Sequence, residues 1–248
     1  MKILFVHDVA FCSLDVLAPL RHRGNEAKII EAKSLFELKL AIKQNPADVY
    51  HVNYLRSPLY AAFLSGARPL VLHAHGDDVR YGLNIFQKIA IKRGSRILCS
   101  TSDLIPRITG SQLIPRPVDT QLYHAREIKK GRAVYFLRTT SDPRARGNEH
   151  HYISVLRQVS QSLGLSLDIV PSMTAIVRRD LPEFLANYEV FFDREIPSSE
   201  YSKLAIESSF LGLRVFKGNE EIRINSNQHD NYNVADQLLK IYNEILEQ

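Results

Sequence analysis

Cysteine is nearly absent: 248 residues hold only Cys12 and Cys99. Two thiols without metal-ligand spacing exclude a zinc knuckle and a disulfide framework, and the pattern fits a reducing compartment. Cys99 lies in the apolar run from Arg96 to Ser100, where a buried, inert thiol is expected. Long apolar runs are missing too, so no bilayer-spanning helix is expected. The first six residues are apolar enough to suggest a leader, but His7 and Asp8 interrupt them and no small-residue cleavage site follows. They read as a first β-strand, and the protein as cytoplasmic. No G-x-G-x-x-G, P-loop or G-x-S-x-G occurs, which disfavours a dinucleotide dehydrogenase and an ATPase and leaves no nucleophile elbow. No helix carries a basic stripe and no strand interleaves basic and aromatic residues, so nucleic acid is not an expected partner.

What is present is an ordinary globular composition, 45% hydrophobic and 24% charged, enough to bury a core. The net charge of +5 is unevenly spread. Residues 1–126 carry 17 Lys and Arg against 10 Asp and Glu, whereas the remainder carries 15 against 17. A basic first half suits either an anionic partner or a merely solvated surface.

Apolar runs of four to six residues alternate with helical patterns. In the first half, strands are expected at 2–7, 27–31, 49–52, 70–74 and 96–100. Helices between them are marked by Ser13, the Ser34-Leu35-Phe36-Glu37 capping box, Ser57-Pro58 and Asn84, with stops at Gly24, Asn45-Pro46, Gly66 and Gly94. The second half repeats this, with strands at 133–137, 167–170, 190–193 and 213–216. Its helices start near Asn148, Asp180 and Ser202, and an amphipathic helix at 233–247 comes last. Such alternation predicts an α/β protein with parallel sheets covered on both faces. The Pro-rich, charged stretch 114–131 reads as a linker, giving domains 1–126 and 127–248. Ligands of such sheets bind beyond the carboxyl ends of the strands.

Three strand-end segments could carry chemistry. The first is His73-Ala74-His75-Gly76-Asp77-Asp78-Val79-Arg80. Its histidines could donate to sugar or phosphate oxygens, Asp78 and Arg80 could pair, and Gly76 would let a ligand approach. His75 and Asp77 raise a metal site, which the lack of a third soft ligand disfavours; satisfied histidines in a polar loop are the plain alternative. The second is Leu137-Arg138-Thr139-Thr140-Ser141-Asp142-Pro143-Arg144-Ala145-Arg146-Gly147, where guanidinium groups before a helix suit phosphate. The third is Ser198-Ser199-Glu200-Tyr201-Ser202-Lys203-Leu204-Ala205-Ile206-Glu207-Ser208, in which helix-start amides could hold a phosphate. Glu207 there could accept from a ribose diol or pair with Lys203 at i,i+4 on the surface.

Together these segments resemble the glycosyltransferase family 4 (group 1) enzymes. Residues 69–80 are similar to the family's strand ending in His-Gly-x-Asp-x-Arg. Ile114-Pro115-Arg116-Pro117-Val118-Asp119-Thr120-Gln121-Leu122-Tyr123 resembles its interdomain Pro-Asn-Gly-Val-Asp signature, and residues 202–215 its donor-site helix. The resemblance implies a GT-B fold, two Rossmann-like open parallel-sheet domains facing each other across a cleft. It implies a retaining hexosyltransferase that takes a uridine or guanosine diphosphate sugar, GDP-mannose included, without metal or other cofactor. Arg138 and Arg146 would neutralise the diphosphate, the amides of Tyr201, Ser202 and Lys203 would cap it, and Glu207 would hold the ribose. His75, Asp78 and Glu200 would form the catalytic set. The acceptor would be a glycan or a lipid-linked molecule, and the basic first half would suit an anionic membrane at its inner face. Ser199 stands where the family has a glutamate, with Glu200 beside it, Arg146 replaces a lysine, and residues 9–12 replace a Gly-rich loop. A non-catalytic nucleotide-sugar-binding subunit and a nucleotide-sugar epimerase are the other readings.

Overall fold

In a computed structural model, residues 1–9, 11–80, 82–137, 149–171, 176–193 and 201–248 are described. The aliphatic run Ile3-Leu4-Phe5-Val6 is buried on both faces, as a parallel strand flanked by two helical layers must be. It forms β1 (Lys2–Val6), followed by α1 (Cys12–His22), β2 (Glu26–Ile30), α2 (Leu35–Gln44), β3 (Val49–Asn53), α3 (Ser57–Ser65) and β4 (Leu70–Ala74). A short α4 (Asp77–Arg80), α5 (Ile85–Lys92), β5 (Arg96–Cys99), a 3-10 turn at Ser102–Arg107 and β6 (Gln112–Leu113) complete this part. The six strands pair in parallel in the order β2-β1-β3-β4-β5-β6. On one face, Leu38, Ile42, Leu59, Ala62 and Ala90 of α2, α3 and α5 pack on Leu4, Val52 and Leu72.

The helix ends show which local signals were obeyed. Ser34 accepts from the Glu37 amide, but the Glu37 carboxylate turns to the Lys33 amide, so the expected capping box closes on one side only. Asn84 and Gln87 form a complete box. The Ser13 cap expected for α1 is not what forms. Phe11 precedes the helix at φ 61°, and the Asp8 carboxylate instead accepts from the Ser13 amide at 2.8 Å.

The second sheet is built by β7 (Arg132–Phe136), α6 (Glu149–Ser162), β8 (Ser166–Val170), α7 (Leu181–Leu185), β9 (Val190–Asp193), α8 (Lys203–Leu211), β10 (Arg214–Lys217) and β11 (Glu220–Ile222). Its order is β11-β10-β9-β7-β8, parallel except for β11. Its core joins Ala133, Tyr135, Tyr152, Leu156, Phe192 and Phe216. The edge strand β11, Glu-Glu-Ile, carries no apolar alternation. A turn at Gly218 (φ 65°) and the Arg214–Glu221 ion pair at 2.7 Å hold it.

The chain ends with α9 (Ser226–His229) and α10 (Asn231–Leu246). It divides into two compact units, Met1–Val118 with Asn227–Gln248, and Asp119–Ser226. This differs from the 126/127 boundary expected from sequence, because α10 does not stay with the second sheet. Its stripe of Val234, Leu238, Ile241, Tyr242 and Ile245 covers the second face of the first sheet, on Ile3, Phe5, Val16 and Leu20. Burying each such aliphatic side chain is worth about 1.5–3 kcal/mol, which favours the first unit as its home. No helix among the described residues is long and apolar enough to cross a membrane.

Candidate ligand sites at the strand ends

In the first unit the strand order reverses between β1 and β3, the point at which parallel sheets open a crevice at their carboxyl ends. All non-glycine residues of positive φ among the described residues lie in or beside the two loops there: His7 (69°) and Phe11 (61°) after β1, and Tyr54 (75°) after β3. Strained backbone of this kind collects at functional sites.

The strand ends beside this crevice carry one connected set of buried polar groups. The Tyr242 hydroxyl meets His51 Nδ1 at 2.6 Å, and His51 Nε2 meets His73 Nδ1 at 3.0 Å. His73 Nε2 meets Ser100 Oγ at 3.1 Å, and Ser100 Oγ meets His75 Nδ1 at 2.8 Å. His75 Nε2 meets Asn53 Oδ1 at 2.9 Å. The Asn53 amide nitrogen then donates to the His7 carbonyl (2.9 Å) and to Ser13 Oγ (2.7 Å), tying β3 to the loop after β1. Each of these side chains except His7 is buried. Burial pushes His73 down to about 3, helped by the Arg116 charge, and holds His51 and His75 well below the usual imidazole range, with His73 adding to both. Burial also holds the Tyr242 phenol well above its usual value. The rings are therefore neutral at pH 7.

The loop after β4 is built around Asp78, which is 1% exposed. Its carboxylate accepts from the amides of Leu55 (2.8 Å), Gly76 (2.8 Å) and His75 (3.2 Å). Burial nonetheless raises its pKa against the pull of these hydrogen bonds. Arg80 is not its partner, contrary to the pairing expected from sequence. Asp78 is occupied by the amides of its own turn, and Arg80 reaches across to form a fork with Asp103 at 2.9 and 3.0 Å. Gly76 suits this turn because its φ of 133° is a backbone conformation that other residues rarely adopt. Arg116 donates to the His75 carbonyl at 3.3 Å.

In the second unit the reversal lies between β7 and β9. Asp193 ends β9 with no exposure, and its Oδ2 accepts from the Ser202 amide at 2.9 Å. Tyr152 donates to the Asp193 carbonyl at 2.6 Å and accepts from the Gly218 amide at 3.0 Å. Ser202 caps α8 by accepting from the Ala205 amide at 3.1 Å. Inside α8, Lys203 Nζ stands 3.7 Å from Glu207 Oε1, with the side chains only 9% and 4% exposed. The i,i+4 pair expected on a surface is thus buried.

The fold is similar to that of known enzymes. A glycosyltransferase from Rickettsia africae ESF-5 aligns with 100% of this chain and 99% of its own, at 12% identity and a TM-score of 0.61. Sucrose-phosphate synthase from Thermosynechococcus elongatus aligns with 99% and 90%, at 12% identity and 0.56. The chain has the GT-B fold. No protein-family model matches it, and no curated protein does.

In this GT-B chain the expected site residues separate into three groups. His75 and Asp78 lie together in the first unit, both buried, with both His75 ring nitrogens engaged within the protein. Tyr201, Ser202, Lys203 and Glu207 lie together in the second unit. The Ser202 amide, expected to cap a diphosphate, is taken by Asp193 because the carboxylate closing β9 sits under the start of α8. Arg138, Arg146, Ser199 and Glu200 lie outside the described residues. Sequence reasoning missed Asn53, His51, Ser100 and Tyr242, and it missed Asp193, whose signal was a lone charge ending the apolar run Val-Phe-Phe. Among the described residues no group of three or more His, Cys, Asp and Glu is placed to hold a metal ion. Cys99 is buried, and that burial raises its thiol pKa. An open depression of about 550 Å³ lies at the amino ends of the first sheet, lined by Lys2, Glu26 and Asp48 among others. Its carboxylates, Glu26 and Asp48, are exposed.

Proposed function

We propose that the chain is a glycosyltransferase of the family 4 (group 1) type. It moves a sugar from a nucleoside diphosphate sugar to a glycan or lipid-linked acceptor, with retention and without a metal. The observation that carries this reading is Glu207. A carboxylate 3% exposed, on the helix that follows β9 of a GT-B chain, is suited to accept from the vicinal hydroxyls of a ribose. Arg138 and Arg146 supply positive charge to the leaving diphosphate, where preorganised charge acts most strongly. A panel of nucleoside diphosphates and their sugars, followed by thermal shift with and without EDTA, tests this. One uridine or guanosine diphosphate sugar should raise the melting temperature selectively and independently of EDTA. No shift from any member would sink the reading. With that ligand, Glu207→Gln should weaken binding about ten- to hundredfold, because a charge-assisted hydrogen bond is worth about 1.5–3 kcal/mol.

Ser199, in place of a glutamate, supports a second reading, a nucleotide-sugar-binding subunit without transferase activity. Donor binding without transfer to any acceptor would favour it over the enzyme.

We also propose that the first unit works at the cytoplasmic surface of an anionic membrane. The outer side of α2, α3 and α5 exposes Phe36 (74%), Leu40, Leu64, Ile85 (77%) and Ile89. Lys43, Lys88 and Lys92 are exposed on the same helices, and Glu37 is the only acid in the three. Apolar side chains among cations suit a lipid surface. The protein should co-sediment with phosphatidylglycerol vesicles at low salt and not with phosphatidylcholine vesicles, and Phe36→Glu with Ile85→Glu should abolish this. Equal recovery with both vesicle types would reject it.

A further inference from the structure

The buried chain from Tyr242 to Asn53 has a direction, and its geometry fixes which. A carbonyl oxygen only accepts, so the His7 carbonyl orients the Asn53 amide with Nδ2 toward it and Oδ1 toward His75. Oδ1 also only accepts, so His75 Nε2 must carry the proton. A neutral imidazole has one N–H, which leaves His75 Nδ1 bare, to accept from the Ser100 hydroxyl. With its proton directed there, Ser100 Oγ accepts from His73 Nε2. His73 Nδ1 then accepts from His51 Nε2, and His51 Nδ1 accepts from the Tyr242 hydroxyl. Every donor and acceptor along the chain is matched in this one arrangement. At the other end the phenol can donate or accept, so Tyr242 imposes no direction.

We propose that Asn53 is a positioning residue that locks His75, and through it His73 and His51, in the neutral Nε2–H form. The consequence for catalysis rests on the glycosyltransferase reading. A locked neutral His75 brings no charge to the strand end, so charge for the diphosphate must come from arginine or lysine. Asn53 also holds the strained His7 turn through the same amide, so one side chain sets both the backbone after β1 and the ring state after β4.

The ring states can be read by nitrogen NMR on the full chain with labelled histidine, at pH 7 and without ligand, assigning the rings by single His→Gln variants. His51, His73 and His75 should each show a protonated Nε2 and a bare Nδ1. Tyr242→Phe should leave all three in that form, because the phenol does not set the direction. Ser100→Ala should leave His75 in it, while His73 and His51 begin to populate the Nδ1–H form. Asn53→Leu should release all three. Should Asn53→Leu not fold, the contrast between the other two variants still decides. An Nδ1–H or doubly protonated His75 in the wild type would overturn the proposal, as would loss of its Nε2–H form in Tyr242→Phe. The measurement needs no nucleotide sugar, so failure of the glycosyltransferase reading would leave its outcome intact.

Discussion

Between pH 7.5 and pH 5 the protein is expected to lose about 2 kcal/mol of folding stability through His73, and more through His51 and His75, which act in the same direction. Burial lowers the folded-state pKa of each, to about 3 for His73, while in the unfolded chain each titrates near the ordinary imidazole value of about 6.5. A lowered pKa means that the unfolded chain binds the extra proton, so stability is complete above the unfolded value and falls as pH drops below it. At pH 5 the His73 share is about 2 kcal/mol. Asp8 and Asp78 act in the opposite sense. Burial raises both, so the fold gains stability as pH falls through their raised folded-state values, which offsets part of this loss. Domains are stable by only about 5–15 kcal/mol, so the first unit should unfold in mild acid. Urea titrations followed by circular dichroism at pH 7.5, 6 and 5 would measure the slope, which should approach three protons taken up on unfolding. A slope near zero would mean that the rings are already charged in the folded protein, or hydrated enough to titrate normally.

Lys203→Met is expected to cost about 3–5 kcal/mol, far more than an exposed i,i+4 pair would, because it removes the cation 3.7 Å from a carboxylate that is itself buried. Glu207→Gln should be destabilising as well, since it takes the carboxylate away from an ammonium whose side chain is only 9% exposed. Combining Lys203→Met with Glu207→Leu should recover most of the loss, as apolar replacement of a buried pair is often neutral. The three variants compared by urea unfolding separate a buried ion pair from a surface one. A loss below about 1 kcal/mol for Lys203→Met is the value of an exposed pair and would reject the buried assignment. The comparison also bears on the donor site. If Lys203→Met unfolds the second unit, any loss of nucleotide binding in it reports folding.

Much of the architecture follows from short-range pattern. Apolar runs such as Lys2–Val6 and Leu70–Ala74 became parallel strands, and Gly66 and Gly212 end their helices in the left-handed conformation expected of them. Ser202 caps α8 because a hydroxyl there faces an amide three residues on, a relation written entirely within one turn. The density of polar groups from His73 to Arg80 falls at a strand end whose histidines join a buried hydrogen-bonded chain, and the order of the three segments pointed to the GT-B fold. These are local properties, set by side-chain period and by backbone preferences over a few residues.

Partners across the sheet were not legible. His51 reads as one residue in an apolar strand, yet its hydroxyl partner, Tyr242, is 191 positions away. Arg80 chose Asp103, 23 residues on, over Asp78 two residues back, because Asp78 faces the amides of its own turn. The amphipathic stripe of α10 identifies a helix that must be buried, but a stripe does not say which sheet it covers, and it covers the first. By itself, then, the sequence determined most of the strands and helices, the caps at Asn84 and Ser202 and the fold class, all of which arise from neighbours along the chain. Tertiary structure alone decided the direction of the histidine chain, the burial of the Lys203–Glu207 pair and the home of α10. Each depends on groups brought within hydrogen-bond or van der Waals reach only when the sheets assemble.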